Sequence, residues 1–357
     1  MPGKKYIKDY TLEELRGIFE RQAKPAFRAN QIFENIYRGR RNDFREITNL
    51  PKDLRAELED TYIIDALEPI EARRSLDGSV KFLFRMAGGD MIESVLMPYH
   101  SDEDSLAPER STLCVSTQAG CPLRCRFCAT GTLGFRRNLS PAEIVDQYLK
   151  AEAATDRRIT NVVLMGMGEP LLNFDNVARA LDIFTNPRAD LVSRKKITLS
   201  TVGIIPKIYD LAEIANPVKL AVSLHSAIQE KREKLMPIAR KFPLGELGNA
   251  VENYYRKTGL SITYEYILFD GINDGQRDAD RLIKFARRVN SIVNIIPFND
   301  VSFALESGAE LRPAPVESVD RFVEYIRASG VVVKIRKSFG PDIEAACGQL
   351  ALSRSKQ

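Results

Sequence analysis

The stretch Gly120-Cys121-Pro122-Leu123-Arg124-Cys125-Arg126-Phe127-Cys128-Ala129-Thr130-Gly131 places three cysteines within eight residues, at C-x3-C-x2-C spacing. Thiolates suit soft centres, so three of them on one short loop can hold three corners of a zinc, Cu(I) or iron–sulfur site. The fourth corner separates these readings. A structural zinc site closes with four protein ligands. His100 and His225 are the only histidines, and Cys114, seven residues before Cys121, is the nearest thiol that could complete a four-cysteine site. The spacing also departs from the ferredoxin run C-x2-C-x2-C-x3-C-P, in which all ligands are cysteines. Three ligands leave one iron of a [4Fe–4S] cluster open to a small molecule, whereas a zinc or four-cysteine site requires Cys114.

Working outward, residues after Ser111 alternate short β-branched runs with amphipathic stretches. Strands are expected near 111–117, 160–166, 194–200, 218–224, 261–268, 291–297 and 331–337, with helices starting near Pro141, Asn176, Pro206, Glu246, Gln276 and Val316. Such alternation predicts parallel βα units, hence an α/β barrel or a doubly wound sheet. In a parallel barrel the active site forms at the C-terminal ends of the strands. There the sequence has Met165-Gly166-Met167-Gly168-Glu169-Pro170, Ser200-Thr201-Val202-Gly203, Ser223-Leu224-His225-Ser226, Phe269-Asp270-Gly271 and Pro297-Phe298-Asn299-Asp300. One rim thus gathers carboxylate, hydroxyl and amide groups. The cysteine loop resembles the signature of the radical S-adenosylmethionine (SAM) enzymes, and SAM needs such partners for its amino, carboxylate, ribose and adenine groups.

The 357-residue chain is 44% hydrophobic and 28% charged, enough for one large domain plus a smaller one with a well-solvated surface. No apolar stretch approaches the ~20 residues of a bilayer helix. The opening Met1-Pro2-Gly3-Lys4-Lys5-Tyr6 has no apolar segment of a secretory signal, so a cytoplasmic protein is expected. Five cysteines, an odd number, point to metal or catalytic thiols rather than a disulfide framework. A net charge of +4 permits a polyanionic partner without demanding one.

Residues 11–60 carry helical spacing, with Thr11 as N-cap and Glu14 at its capping-box position. Arg38, Arg40, Arg41 and Arg45 lie beside Tyr37, either facing a phosphate backbone or forming a solvated helix end with acids nearby. Residues 80–85 and 91–97, flanking Gly88-Gly89-Asp90, read as a β-hairpin whose second strand holds Glu93. Residues 101–110 read as a linker.

The cysteine loop, Met-Gly-Met-Gly-Glu-Pro, Ser-Leu-His and the tail Gly340-Pro341-Asp342-Ile343-Glu344-Ala345-Ala346-Cys347-Gly348-Gln349-Leu350 together resemble the RlmN/Cfr family of radical SAM RNA methyltransferases, over essentially the whole chain. The tail is the most specific match, because a generic radical SAM enzyme has no reason to keep a cysteine there. The resemblance implies an α/β protein with a partial (β/α)6 barrel over residues 111–340. A small N-terminal α+β accessory domain would take residues 1–100, with RNA binding expected there, and the tail residues 341–357. It implies a [4Fe–4S] cluster on Cys121, Cys125 and Cys128. The SAM site would be lined by Gly168, Glu169, Ser200, Ser223, Leu224, His225 and Asn299. Cys347 would carry the methyl group, Cys114 would resolve the product, and Glu93 would be the acid/base residue; the other reading of Cys114 is a small buried core residue.

Within that family the acceptor is C2 or C8 of an adenine in 23S rRNA and, for some members, in tRNA. An external electron donor such as flavodoxin or ferredoxin is implied. Pro170 resembles the C2 branch, whereas the Cfr branch tends to have alanine there and methylates C8. Where the family often follows the rim asparagine with proline, this chain has Asp300 after Asn299 and a long segment reaching Pro315. A non-catalytic metal-containing RNA-binding protein is the different class, and it would have no use for Cys347.

Overall fold

A computed structural model describes residues 3–100, 110–155, 157–299, 301 and 311–352. Most of the expected linker, most of the segment after Asn299 and the last five residues of the tail lie outside these residues. In chain order the elements are β1 (Lys5–Tyr6), α1 (Leu12–Arg21), α2 (Phe27–Tyr37), α3 (Lys52–Thr61), β2 (Tyr62–Ile63), β3 (Leu67–Arg74), β4 (Val80–Met86) and β5 (Met91–Tyr99). Then come β6 (Arg110–Cys114), β7 (Gln118–Gly120), β8 (Phe135–Asn138), α4 (Pro141–Thr155), β9 (Asn161–Leu164), α5 (Phe174–Thr185), β10 (Ile197–Thr201) and α6 (Ile205–Leu211). The rest are β11 (Lys219–Ser223), α7 (Gln229–Leu235), α8 (Leu244–Thr258), β12 (Ile262–Ile267), α9 (Gln276–Ala286), β13 (Ser291–Ile296), α10 (Val316–Ala328) and β14 (Val332–Ile335).

One ten-stranded sheet runs in the order β14-β13-β12-β11-β10-β9-β6-β5-β4-β3. Pairing is parallel from β6 through β14, as the βα alternation predicts. The expected hairpin forms as β4 and β5 with Leu83 opposite Glu93. It does not stand apart: β5 pairs antiparallel with β6, Val95 opposite Cys114, so it continues the barrel sheet. Leu220, Ala221 and Val222 of β11 are all buried, as expected of a parallel strand covered on both faces. The covering helices are amphipathic, as in α9, where Ala279, Leu282, Ile283 and Ala286 face the core. Among the described residues no helix is long and apolar enough to cross a membrane.

The N-terminal helices begin as the sequence indicates. Thr11 Oγ1 accepts from the Glu14 amide at 3.3 Å while Glu14 Oε2 accepts from the Thr11 amide at 2.9 Å, completing the capping box at the start of α1. This unit is fastened to the barrel by a buried ion pair between Lys8 and Asp146 of α4. Asp146 Oδ2 also accepts from the amides of Ala66, at 2.5 Å, and Leu67, at 3.3 Å. Burial pushes the Asp146 carboxyl above its ordinary range, and Lys8 works against that shift.

Candidate active site

The cysteine loop leaves β7 and returns through β8. Gly120 stands at φ +72° with room for no side chain, since a Cβ there would lie 1.7 Å from the Gly134 carbonyl oxygen. That close approach lets the Cys121 amide donate to Gly134 O at 3.0 Å and closes the loop neck. Inside the loop the Cys128 amide donates to Cys125 O at 3.2 Å, and Arg126 N donates to Leu235 O of α7 at 3.1 Å. Phe127 packs edge-on against His225 with ring centroids 4.5 Å apart.

Cys121, Cys125 and Cys128 are free thiols lining one cavity of ≈ 160 Å³ with Gly168, Glu169 and Ser200. Cys114 lines a neighbouring cavity of ≈ 60 Å³ and not this one. Among the described residues no three His, Cys, Asp or Glu side chains converge on a single ion. Cys114, the ligand that a closed four-cysteine site would need, is held outside this cavity, while Cys347 reaches it from the exposed tail; three loop thiols with an open corner fit a cluster better than a closed zinc tetrahedron. Burial raises all three thiols above their ordinary range, Cys121 to about 12, so only a cationic centre would draw off their protons.

The rim arrives as the strand-end rule predicts. Gly168 has φ +97°, and a Cβ there would lie 2.5 Å from Gln118 Cβ, so the backbone turns tightly past β7. The next residue, Glu169, is buried: Oε2 accepts from the Val202 amide at 2.9 Å and Oε1 from the Leu171 amide at 3.1 Å. Burial pushes its carboxyl up to about 7, against the pull of these amides. Ser200 Oγ and Ser223 Oγ, on adjacent strands, are 3.4 Å apart. His225 is held at φ +52° with Nδ1 accepting from the Ile267 amide at 3.1 Å. Burial, aided by the Arg232 charge, lowers it to about 3, so this imidazole is neutral.

Two expected SAM-site residues lie elsewhere. Leu224 is fully buried outside the cavity lining, and its amide donates to Glu265 O at 3.0 Å. Asn299 lines the smaller cavity, where its Nδ2 donates to Cys347 O at 3.2 Å and its Oδ1 accepts from Ser338 Oγ at 3.1 Å.

Cys347 is exposed and lines both cavities, so it bridges the cysteine loop and Cys114. Burial, reinforced by Cys347, pushes the Cys114 thiol up to about 12. Glu93 lies buried on β5, outside both cavities, with Oε1 3.4 Å from Lys81 Nζ and Oε2 accepting from the Leu352 amide at 3.2 Å.

Arg336, Lys81 and Arg232 were missed by sequence reasoning. Arg336 lines both cavities, 3.6 Å from Met165 Sδ and 3.9 Å from Glu265 Oε2. Cys347, more than any other group, raises its guanidinium against the effect of burial, so Arg336 is the cation set beside the two cysteines. It follows β14 directly, so the strand-end rule applied there would have found it. Of the N-terminal basic cluster, Arg40 pairs with Glu152, Arg41 with Glu46 and Arg45 with Asp43, which is the solvated reading. Arg38 joins Lys150, Arg157 and Arg158 around a groove of ≈ 530 Å³ between α2 and α4.

A model of the radical SAM superfamily matches residues 115–285, and one described as the ribosomal RNA large subunit methyltransferase N-terminal domain matches residues 6–64. A probable dual-specificity RNA methyltransferase RlmN of Flavobacterium psychrophilum is 40% identical over 352 residues, covering 98% of both chains. The dual-specificity RNA methyltransferase RlmN of Geotalea uraniireducens is 42% identical over 344 residues, covering 96% of each. The crystal structure of a radical SAM methyltransferase from Sphaerobacter thermophilus superposes with a TM-score of 0.87 at 39% identity, over 97% of this chain and 99% of that one. With an N-terminal unit, a cysteine loop and a full-length likeness all in agreement, this chain belongs to the RlmN family of the radical SAM superfamily.

Proposed function

We propose that the protein methylates C2 of an adenine in 23S rRNA, and in tRNA as a second substrate, using Cys347 as methyl carrier. The observation that carries this reading is the shared position of Cys347, which lines one cavity with Cys121, Cys125 and Cys128 and the next with Cys114. Cys121, Cys125 and Cys128 would hold a [4Fe–4S] cluster, and Gly168, Glu169, Ser200, Ser223 and His225 would line the SAM site. When bound, cluster and SAM supply the methyl group and the hydrogen-abstracting radical that an unreactive ring carbon requires. Leu224 acts from the core by fixing its neighbours, and Asn299 by holding the Cys347 carbonyl.

Glu169, with its two amide donors, receives the ligand ammonium. Arg336 balances the Cys347 thiolate that takes up the methyl group. Once carbon bridges Cys347 and the ring, Glu93 takes the ring proton and Cys114 attacks Cys347 Sγ. The carbon–sulfur bond breaks toward the RNA, the freed carbon takes up a proton to become the methyl group, and a disulfide forms; the one electron left over from radical addition passes to a one-electron carrier, and two electrons from external reductant restore both thiols. The electron source is a one-electron donor such as flavodoxin or ferredoxin, in the cytoplasm. Residues 1–100 act as the accessory unit, whose last three strands continue the barrel sheet, 111–340 as the barrel and 341–357 as the tail; Arg38 of the accessory unit meets RNA phosphate together with Arg157 and Arg158 of the barrel. The target base must leave its stack, at about a few kcal/mol.

Nucleoside mass spectrometry of rRNA and tRNA from cells lacking and regaining the gene tests this reading. The complemented strain should gain 2-methyladenosine. Gain of 8-methyladenosine alone would move the activity to C8, and gain of neither would refute it.

A further inference from the structure

Arg232 is an unusual residue to find in the core. It lies on α7, a helix with only one other buried residue, Leu235, yet its side chain is 0% exposed. Nη2 donates to Val202 O at 2.5 Å and to Ser223 O at 3.3 Å, while the buried Nε has no partner. No carboxylate pairs with it among the described residues, although its neighbour Lys231 is paired with Asp278. A buried cation without a counter-charge is strongly unfavourable, because desolvation is offset only by an opposite charge nearby.

The neighbouring group is a cysteine. Cys125 packs against the buried cluster that holds Leu235 of the same helix, and Val202 and Ser223, whose carbonyls hold the guanidinium, line the same cavity as Cys125. Burial lowers the guanidinium to about 10, and a Cys125 thiolate would oppose that shift. The same helix turn holds the cysteine loop, through Arg126 N on Leu235 O. Three thiolates around an iron–sulfur core leave the assembly net negative, and reduction adds one more negative charge. We propose that Arg232 is a positioning residue for this centre: its guanidinium is the buried counter-charge at the Cys125 corner, and it favours the reduced over the oxidised cluster. The two carbonyl contacts fix the guanidinium in place, so the charge is preorganised and does not swing out to water.

The inference rests on the three-cysteine reading above, and the experiment keeps the two separable. Wild type, Arg232→Gln and Arg232→Lys are reconstituted anaerobically, assayed for iron and sulfide, and titrated without SAM by electron paramagnetic resonance. Wild-type protein that takes up no cluster would overturn the site itself. With the cluster present, Arg232→Gln should lower the ratio of reduced to oxidised centre about tenfold at fixed potential, a shift of about 59 mV to more negative values for one electron. Arg232→Lys, which keeps the charge, should stay closer to wild type. If the glutamine variant cannot hold iron, loading of the lysine variant alone supports the charge requirement. An unchanged potential in Arg232→Gln overturns the inference, and weaker SAM binding with it would assign the guanidinium to the SAM carboxylate. Failure of both variants to load also overturns it, leaving Arg232 as a brace for the Val202 and Ser223 carbonyls.

Discussion

Glu169→Gln in metal-free protein isolates one buried carboxyl and gives a signed pH dependence. The folded environment pushes Glu169 from 4.5 to about 7, with burial as the main cause. The unfolded chain therefore releases this proton near pH 4.5 while the folded chain keeps it to about pH 7. Between those values the unfolded state binds fewer protons, so stability falls as pH rises. The stabilisation is complete below about pH 4.5 and gone above about pH 7. At about 1.4 kcal/mol per pH unit the gap amounts to roughly 3 kcal/mol. Glutamine has no proton to lose, so subtracting its unfolding free energy from that of wild type cancels the other titrating groups. Urea unfolding followed by circular dichroism, repeated from pH 4.5 to 8, should give a difference that drops by about 3 kcal/mol and then levels. Parallel curves, or a difference that grows with pH, would show that the amides of Val202 and Leu171 outweigh burial and that Glu169 is an ordinary ionised carboxylate.

Other substitutions test the remaining parts of the site. Gly168→Ala forces a Cβ to 2.5 Å from Gln118 Cβ at φ +97°; a loss of about 3 kcal/mol in the same unfolding assay is expected, and a neutral result would mean that the turn relaxes freely. Cys125→Ala should abolish iron–sulfur uptake, read by iron and sulfide analysis, and normal loading would remove Cys125 from the ligand set. Cys114→Ala should keep the cluster and still accept a methyl on Cys347, yet stall as a protein–RNA adduct on a denaturing gel; free turnover would leave Cys114 a packing residue, and loss of iron would make it a ligand.

Local signals were legible where one stretch of chain contains all the partners. Cys121, Cys125 and Cys128 lie on one loop, Thr11 and Glu14 cap one helix, Ser200 and Ser223 sit at the C-terminal ends of their strands, and Gly168-Glu169 lies in the turn after β9. Elements with weak periodic signals were not legible. β7 has three residues, β3 is a largely exposed edge with a register shift between Pro69 and Glu71, and α7 is mostly charged. Pairings between distant segments were also out of reach, such as Arg232 with Val202 O or Arg336 with Glu265. Lys81 is an intermediate case. The hairpin register puts it opposite Val95 and diagonal to Glu93, so pairing the two expected strands would have brought the charges together.

The tail explains why the hairpin must join the barrel sheet. The stretch from Gly340 to Leu352 has little regular structure, so other elements have to position Cys347. The β3–β4 turn takes one end: Gly340 N donates to Asp77 Oδ2 at 2.8 Å, while Ser75 Oγ and Leu76 N donate to Asp342 at 2.5 and 3.2 Å. The cysteine loop takes the other, with Ala129 N donating to Gly348 O at 2.8 Å and Thr130 Oγ1 to Leu350 O at 2.6 Å. Cys347 lies between these anchors, exposed to an incoming substrate, with Arg336 and Cys114 beneath it. Because β5 is bonded to β6, the strand holding Glu93 and the strand holding Cys114 are one rigid surface. A hairpin on a separate mobile domain could not keep both a carboxylate and a thiol in register with a tail anchored to the cysteine loop.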